Sequence, residues 1–407
     1  MQDPAAQLAT EVLERCETLA RYSETPGQLT RSFLSLPFKD VHRDVGNWMA
    51  AAGLTVHTDA IGNLIGRSRA PRSDAPIFII GSHLDTVRNA GKYDGVLGVL
   101  VGIAVCELLR QETLPFQLEV VGFSDEEGVR FGATYFGSQA LTGTFPIEQL
   151  MLTDQNGVSL RDAIMTYGLN PDDIPRAAHP PKQVMGYAEV HIEQGPVLES
   201  LNAPIGIAEA IIGQSKLELT FFGKAGHAGT TPMHLRQDAL VAAAAFVTAV
   251  AAVATAQPGL VATVGRLECL PGASNVIPGE VRLTLDVRHK DDARRETVVR
   301  QLLETARQLA AEHQLTVQSR TVLSEATSWM SRAYTERLLT LSGAPSLVSG
   351  AGHDASVMSR FTQSALIFVR SPGGVSHHPD EAVMPGDVAV AISTLANFLR
   401  HLAVADA

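Results

Sequence analysis

The chain has 407 residues, 45% of them apolar and 18% charged, with a formal net charge of −11. That length exceeds one typical core and predicts two domains, and the composition predicts a folded chain rather than a disordered one. The acidic balance argues against nucleic acid and against an anionic membrane surface as partners, and an anionic ligand would need a local cationic site.

Taken in order, Ala5 to Arg21 reads as a helix, and Lys39 to Ala52 as a second that Gly53 stops. Thr55-Val56-His57 and Asn63-Leu64-Ile65-Gly66 form a hairpin-like pair. Ile77 to Ile80 is an apolar run that reads as a buried strand. His83 and Asp85 follow it, and Asp94-Gly95 opens an apolar helix over Val96–Leu109. Asp85 is expected to accept a hydrogen bond from the far nitrogen of His83 and fix its tautomer. Phe116 to Phe123 is the next strand and runs into Ser124-Asp125-Glu126-Glu127-Gly128. Asp154 to Pro181 is a polar excursion with one short helix. Tyr187 to Ile192 is a strand that carries His191 and leads into Glu193-Gln194-Gly195.

Rhythm and composition change near Gly213. Lys216–Phe222, Arg236–Ala256, Leu260–Cys269, Val281–His289, Asp291–His313 and Leu315–Leu323 read as strand, helix, strand, strand, helix and strand. That β-α-β-β-α-β order is ferredoxin-like. It predicts an inserted domain over 213–325, with 1–212 and 326–407 forming the other domain. Ala239 to Ala256 lacks charge, but it is alanine-rich and abuts Asp238, so a buried or dimer-facing helix is expected rather than a membrane span. Beyond 326 come a helix over Ser331–Leu341, a glycine-rich turn over Ser349–Ala355 and a strand over Ala365–Val369. The loop Ser371–Pro379 and a closing helix over Asp387–Leu402 follow. The expected fold class is α/β: a mostly parallel mixed sheet flanked by helices, plus the inserted α+β domain. The three cysteines, Cys16, Cys106 and Cys269, are odd in number and far apart, and the N-terminus shows no signal-peptide pattern. Reduced thiols and a cytoplasmic location are expected.

The chemistry-bearing residues fall at element ends. His83 follows one strand, Asp94 opens the next helix, Glu126 and Glu127 follow another strand, His191 nears the end of a third, and His377 follows a fourth. Open α/β sheets place ligands at that edge. Imidazoles and carboxylates without thiolate suit manganese or zinc, with cobalt, nickel or iron also compatible. Two divalent ions sharing one carboxylate is the economical arrangement, with Asp94 as the bridge. Such a pair acidifies a water and polarises a carbonyl, and Glu126 is placed to carry the proton to a leaving nitrogen. The pattern points to metal-assisted hydrolysis of an amide-like bond.

GSHLDT, GKYDG, SDEEGVRFG, HIEQG, GHAGTTPM, NVIPG, DVRH, SGAGHDA and GGVSHHPDE together resemble the binuclear hydantoinase/carbamoylase family, within the aminoacylase and carboxypeptidase G superfamily. The resemblance spans nearly the whole chain. It implies that His83, Asp94 and His191 hold one metal, that Asp94, Glu127 and His377 hold the other, and that Glu126 is the general base. The family pattern selects His377 over His378. It implies substrate binding by Gln194, Gln214, His227, Asn275 and Arg288, with His227 donating to the developing oxyanion and Arg288 offering a fork to a carboxylate. His353 and Arg370 are implied as specificity positions. The inserted domain is expected to form a homodimer and to close over the partner's site. The implied reaction is hydrolysis of a ureido C–N bond in a small anionic substrate. Allantoate comes first, because the Phe368–Arg370 segment resembles that branch. N-carbamoyl-L-amino acids come second, and ureidoglycolate or β-ureidopropionate after them. Peptidase relatives carry an acidic ligand where this chain has His191, which leaves the site one unit more positive. A non-catalytic binding protein on the same scaffold would be expected to lack a ligand or Glu126, and all are present.

Overall fold

The computed structural model describes residues 3–405. Helices α1 (Pro4–Leu19) and α2 (Leu36–Ala51) lead into strands β1 (Thr55–Thr58), β2 (Leu64–Arg67) and β3 (Ile77–His83). Next come α3 (Val96–Leu108), β4 (Gln117–Phe123), α4 (Phe136–Leu141), α5 (Leu160–Tyr167), β5 (Val184–Ile192), α6 (Val197–Ser200) and β6 (Ile205–Ile211). The middle of the chain contains β7 (Gly213–Phe222), β8 (Gly226–His227), α7 (Ala239–Thr255), β9 (Val261–Thr263) and β10 (Leu267–Leu270). It continues through β11 (Val276–Ile277), β12 (Glu280–His289), α8 (Asp292–Glu312) and β13 (Thr316–Glu325). The last part holds β14 (Ser328–Trp329), α9 (Arg332–Ser342), β15 (Ser346–Ser349), α10 (Ala355–Met358), β16 (Ser364–Val369) and α11 (Pro385–Ala405).

Chain packing defines two compact units: Met1–Glu209 with Trp329–Ala407, and Ala210–Ser328. The first is built on a nine-stranded sheet of order β1-β2-β4-β3-β5-β16-β6-β14, with β15 also on β6. Its four central strands, β4, β3, β5 and β16, run parallel. The pairs β1–β2, β2–β4 and β16–β6 are antiparallel. From β3 the chain passes through α3 to β4 on one side, and later returns to β5 on the other. The order therefore reverses at β3, and a crevice opens beyond the carboxyl ends of the strands at such a switch point.

Helix α3 is buried along its whole length from Val96 to Cys106, which explains why its sequence is apolar on every side. It lies close on the sheet because Gly98 has no side chain: a Cβ there would sit 2.1 Å from the Val190 carbonyl oxygen. Helix α2 begins at Leu36, earlier than the sequence pattern indicates, because Ser35 caps it by accepting the Phe38 N–H and Pro37 is tolerated in the first turn. Among the described residues α11 is the one helix long and apolar enough to cross a membrane, yet 61% of its most apolar stretch is buried, and it packs on α1, α3 and α9.

The second unit has its own sheet of order β10-β12-β7-β13, with β9 also on β12, all antiparallel. Helices α7 and α8 pack on each other and on the β7–β12 face, and the alternating burial along β7 records one covered and one open face. Leu217, Leu219, Phe221, Phe246, Leu285 and Leu302 contribute to a separate hydrophobic core. The single strand expected over Leu260–Cys269 is two short ones. Between them Arg266 donates its N–H to the Thr284 hydroxyl while its carbonyl accepts the Thr284 N–H.

Candidate metal centre

The parallel strands bring their carboxyl ends to one edge, and the ligand-type side chains gather there. His83 is the last residue of β3, and His191 precedes the last residue of β5. Asp94 stands two residues before α3, Glu126 and Glu127 follow β4, and His377 lies in the loop after β16. Donor atoms of His83, Asp94 and His191 lie within 4.8 Å of one another. The same holds for Asp94, Glu127 and His377, and for His83, Glu126 and Glu127.

Asp94 faces all three imidazoles. Its Oδ1 is 3.4 Å from His83 Nε2 and 3.1 Å from His191 Nε2, and its Oδ2 is 3.2 Å from His377 Nε2. His83 Nδ1 lies 3.0 Å from the Asp85 carbonyl oxygen, and His191 Nδ1 lies 2.9 Å from that of Ile192. A carbonyl can only accept, so each Nδ1 carries the proton. In the neutral rings each Nε2 lone pair then points at a carboxylate that also only accepts. A cation between them resolves that opposition, so the donor set fits a divalent metal. Without one, protons take its place. Burial lowers the His83 and His191 pKa values, but the Asp94 contact and neighbouring carboxylates outweigh it and hold both above the ordinary range. His377 is raised first by Asp94. Burial by itself would raise Asp94, but the three imidazoles hold it well below the usual carboxylate range.

The neighbouring carboxyls behave oppositely. Burial pushes Glu126 well above its usual range; Glu127 and Asp354 add to this against the pull of His83. Burial likewise raises Glu127 to about 7. The backbone here is strained: Asp125, Tyr135, Gln194 and His377 all have φ between 53° and 67°. Each non-glycine residue in that region costs about 1–2 kcal/mol. Gly95, also at positive φ, lets the Asp94 segment come close to His83, because a Cβ there would lie 2.4 Å from the His83 ring.

Asp85 differs from expectation. It orients His83 through its backbone carbonyl, while its carboxylate Oδ1 stays 3.7 Å from Nδ1. The carboxylate instead accepts the N–H groups of Glu126 at 3.2 Å and Glu127 at 3.1 Å. The sharp turn after β3 directs the side chain to the β4 loop, and no local spacing reports that. Gln194 sits within the centre: its Nε2 donates to Asp94 Oδ2 and to Ser376 Oγ, both at 3.1 Å, and its buried Oε1 has no partner among the described residues. His353 is buried edge-on to His191, ring centroids 4.4 Å apart, with Nε2 2.9 Å from Ser349 Oγ; burial holds it well below its ordinary pKa. Arg370 commits its fork to Asp387 at 2.8 and 2.9 Å and also reaches Asn202. His378 is exposed, its nearest carboxylate being Asp380 at 3.5 Å.

The remaining expected residues lie in the second unit. β8 pairs with β11, setting His227 opposite Val276, beside Asn275, whose carbonyl accepts the Ala228 N–H. Gln214 and Arg288 are cross-strand partners on β7 and β12. Gln214 donates to Glu325 at 2.6 Å, and Arg288 binds Asp286 with two nitrogens at 2.7 and 3.0 Å.

Three carboxylates escaped the sequence reading. Glu189 is fully buried two residues before His191. It accepts from Ser82 Oγ, Tyr187 OH and the Ala355 N–H, each at 2.9 Å. Its signal was a charge inside a strand buried on both faces. Asp354 accepts from Ser138 at 2.5 Å. Glu381 bonds the backbone of Asp94.

Residues 79–401 match the model of Peptidase family M20/M25/M40. The chain is 38% identical to a probable allantoate deiminase of Oryza sativa subsp. japonica over 98% of its own length and 89% of the relative's. It is 38% identical to an N-carbamoyl-L-amino acid amidohydrolase of Geobacillus stearothermophilus over 96% and 97%. A hydantoinase/carbamoylase family amidase from Burkholderia ambifaria superposes with a TM-score of 0.89 at 31% identity, covering 96% of each chain.

Proposed function

The chain belongs to the M20/M25/M40 peptidase family, in its hydantoinase/carbamoylase branch, and from that premise we propose that this C–N hydrolase acts on allantoate. The rice relative's name, matched over 98% of this chain, carries the choice. The Phe368–Arg370 segment supports it. The second reading, an N-carbamoyl-L-amino acid, rests on the equally identical Geobacillus relative. Both substrates present a ureido carbon and a carboxylate.

His83, Asp94 and His191 would hold one divalent ion, and Asp94, Glu127 and His377 the other. When bound, the two ions supply an acidified water and a Lewis acid for the ureido carbonyl. Manganese and zinc both suit the donor set. Glu126, beside the centre but outside the shared pair, takes the proton from the attacking water and delivers it to the leaving nitrogen. Burial raises its proton affinity, which suits that shuttle. The three imidazoles leave the centre less negative than a carboxylate set would, favouring an anionic substrate. His227 stabilises the developing oxyanion, and Gln214, Asn275 and Arg288 bind the ureido group or the carboxylate. These residues serve the partner subunit's site in a homodimer built through residues 213–325. Mixed Arg288→Ala and Glu126→Gln subunits would then recover activity on exchange, and no recovery refutes the partner contribution.

The deciding assay is ammonia release by manganese-loaded protein, with allantoate and a panel of N-carbamoyl-L-amino acids side by side. Turnover of allantoate alone supports the first reading. Preference for carbamoyl amino acids replaces it with the second. No turnover of either rejects both.

A further inference from the structure

We propose that Glu381 is a positioning residue for both metal subsites at once, acting through the backbone of Asp94. The inference rests on the reading of Asp94 as the ligand shared by two ions. Glu381 Oε1 accepts the N–H of Tyr93 at 2.8 Å and of Asp94 at 3.0 Å. The side chain is 4% exposed although it lies in the polar run His377-His378-Pro379-Asp380-Glu381. A carboxylate is costly to bury, so its place needs a compensating set of hydrogen bonds. Here Oε1 takes two backbone donors on the segment that presents Asp94, while Oε2 is buried with no hydrogen-bond partner among the described residues.

Glu381 also closes its own loop, donating its backbone N–H to the His378 carbonyl at 3.0 Å. One side chain therefore ties the loop carrying His377 to the loop carrying Asp94. Gly91 admits it: a Cβ there would fall 2.3 Å from Glu381 Cβ and 2.4 Å from its carboxylate. Asp94 uses Oδ1 toward His83 and His191 and Oδ2 toward His377. A shift of its backbone moves both oxygens together. Releasing Glu381 should weaken both subsites in parallel, whereas removing one histidine should empty mainly one.

The test measures manganese per chain and its retention against a competing chelator, with no substrate present. In Glu381→Ala, retention of both ions should fall about 10–100-fold, the usual consequence of losing a partner that orients a ligand. Glu381→Gln keeps an oxygen that can accept the same two N–H groups and should stay within a few-fold of the parent. Gly91→Ala, which crowds Glu381 out, should reproduce the alanine variant. His377→Ala, measured alongside, should lose one ion. The proposal is overturned if Glu381→Ala keeps both ions at parental affinity, loses only one, or is matched in its defect by Glu381→Gln. Should Glu381→Ala not fold, Gly91→Ala with parental retention, or Glu381→Gln with lost retention, overturns it equally. Parental protein that binds fewer than two ions removes the shared-ligand premise and the proposal with it. Inactivity on ureido substrates with these metal results intact would overturn the proposed reaction and leave Glu381 in its role.

Discussion

Asp85 Oδ1 accepts the backbone N–H of Glu126 at 3.2 Å, and its other oxygen takes the next N–H, that of Glu127, at 3.1 Å. One buried carboxylate thus sets the position of the expected base and of an expected ligand, while its backbone carbonyl orients His83. In Asp85→Asn one acceptor oxygen becomes an amide NH2, a donor that faces a backbone donor. We expect a stability loss of about 1–3 kcal/mol and a 10–100-fold loss of metal affinity. Thermal melts with and without manganese measure both.

Glu126→Gln should leave both ions bound and lower turnover about 10²–10⁴-fold, since the carboxamide cannot carry the proton. Metal content and kcat must be measured on the same preparation. Full turnover with two ions present would remove Glu126 from the mechanism.

Metal occupancy should divide along the two donor groups. His191→Ala is expected to lose one ion and His377→Ala the other, while Asp94→Asn weakens both, because Asp94 belongs to both groups. Elemental analysis after gel filtration reads this directly. Loss of both ions in either histidine variant would argue against separate subsites.

The metal-free protein should lose stability as pH rises. Glu126, Glu127, His83, His191 and His377 are all raised in the folded state, so the fold binds more protons than the unfolded chain. Their contribution is present below the unfolded values, near 4.5 for the glutamates and 6.5 for the histidines. It is lost as pH climbs through the folded ones, about 7 for Glu127. Asp94, held low, acts in the other direction only in strong acid. Melting temperature in chelator should therefore fall between about pH 6 and pH 9, and manganese should reverse the trend. A chelated protein that grows more stable over that range would contradict the protonation pattern.

Arg370 is paired with Asp387, whose side chain is 7% exposed. Arg370→Ala strands that carboxylate and should cost about 1–3 kcal/mol, seen as a lower melting temperature. The Arg370→Ala/Asp387→Ala double variant should recover part of it. A changed KM for allantoate at unchanged melting temperature would instead assign Arg370 a direct contact with substrate.

The gathering of the ligand-type side chains at one edge was readable because its signals are local. An apolar run long enough for a strand, leading through Gly81 and Ser82 to His83, states what the strand presents at its end. The same holds for Glu126 and Glu127 after β4 and for His377 after β16. Parallel pairing then brings those ends to one edge without further instruction. In the middle segment the two helices and the long strands β7, β12 and β13 were equally local, whereas the strand expected over Leu260–Cys269 is two short ones.

What only the tertiary structure decided is which polar groups hold those side chains. Asp85 reaches the Glu126–Glu127 backbone across two strands, Glu189 joins Ser82 to Ala355, and Glu381 reaches Asp94 from nearly the other end of the chain. In sequence each is a charge in a turn or strand, indistinguishable from one that faces water. A buried carboxylate is defined by donors brought to it from distant segments, and hydrogen-bond partners at such separations leave no periodicity to read. Residue order determined what the strand ends carry; the packing of loops against one another decided what holds those residues in place.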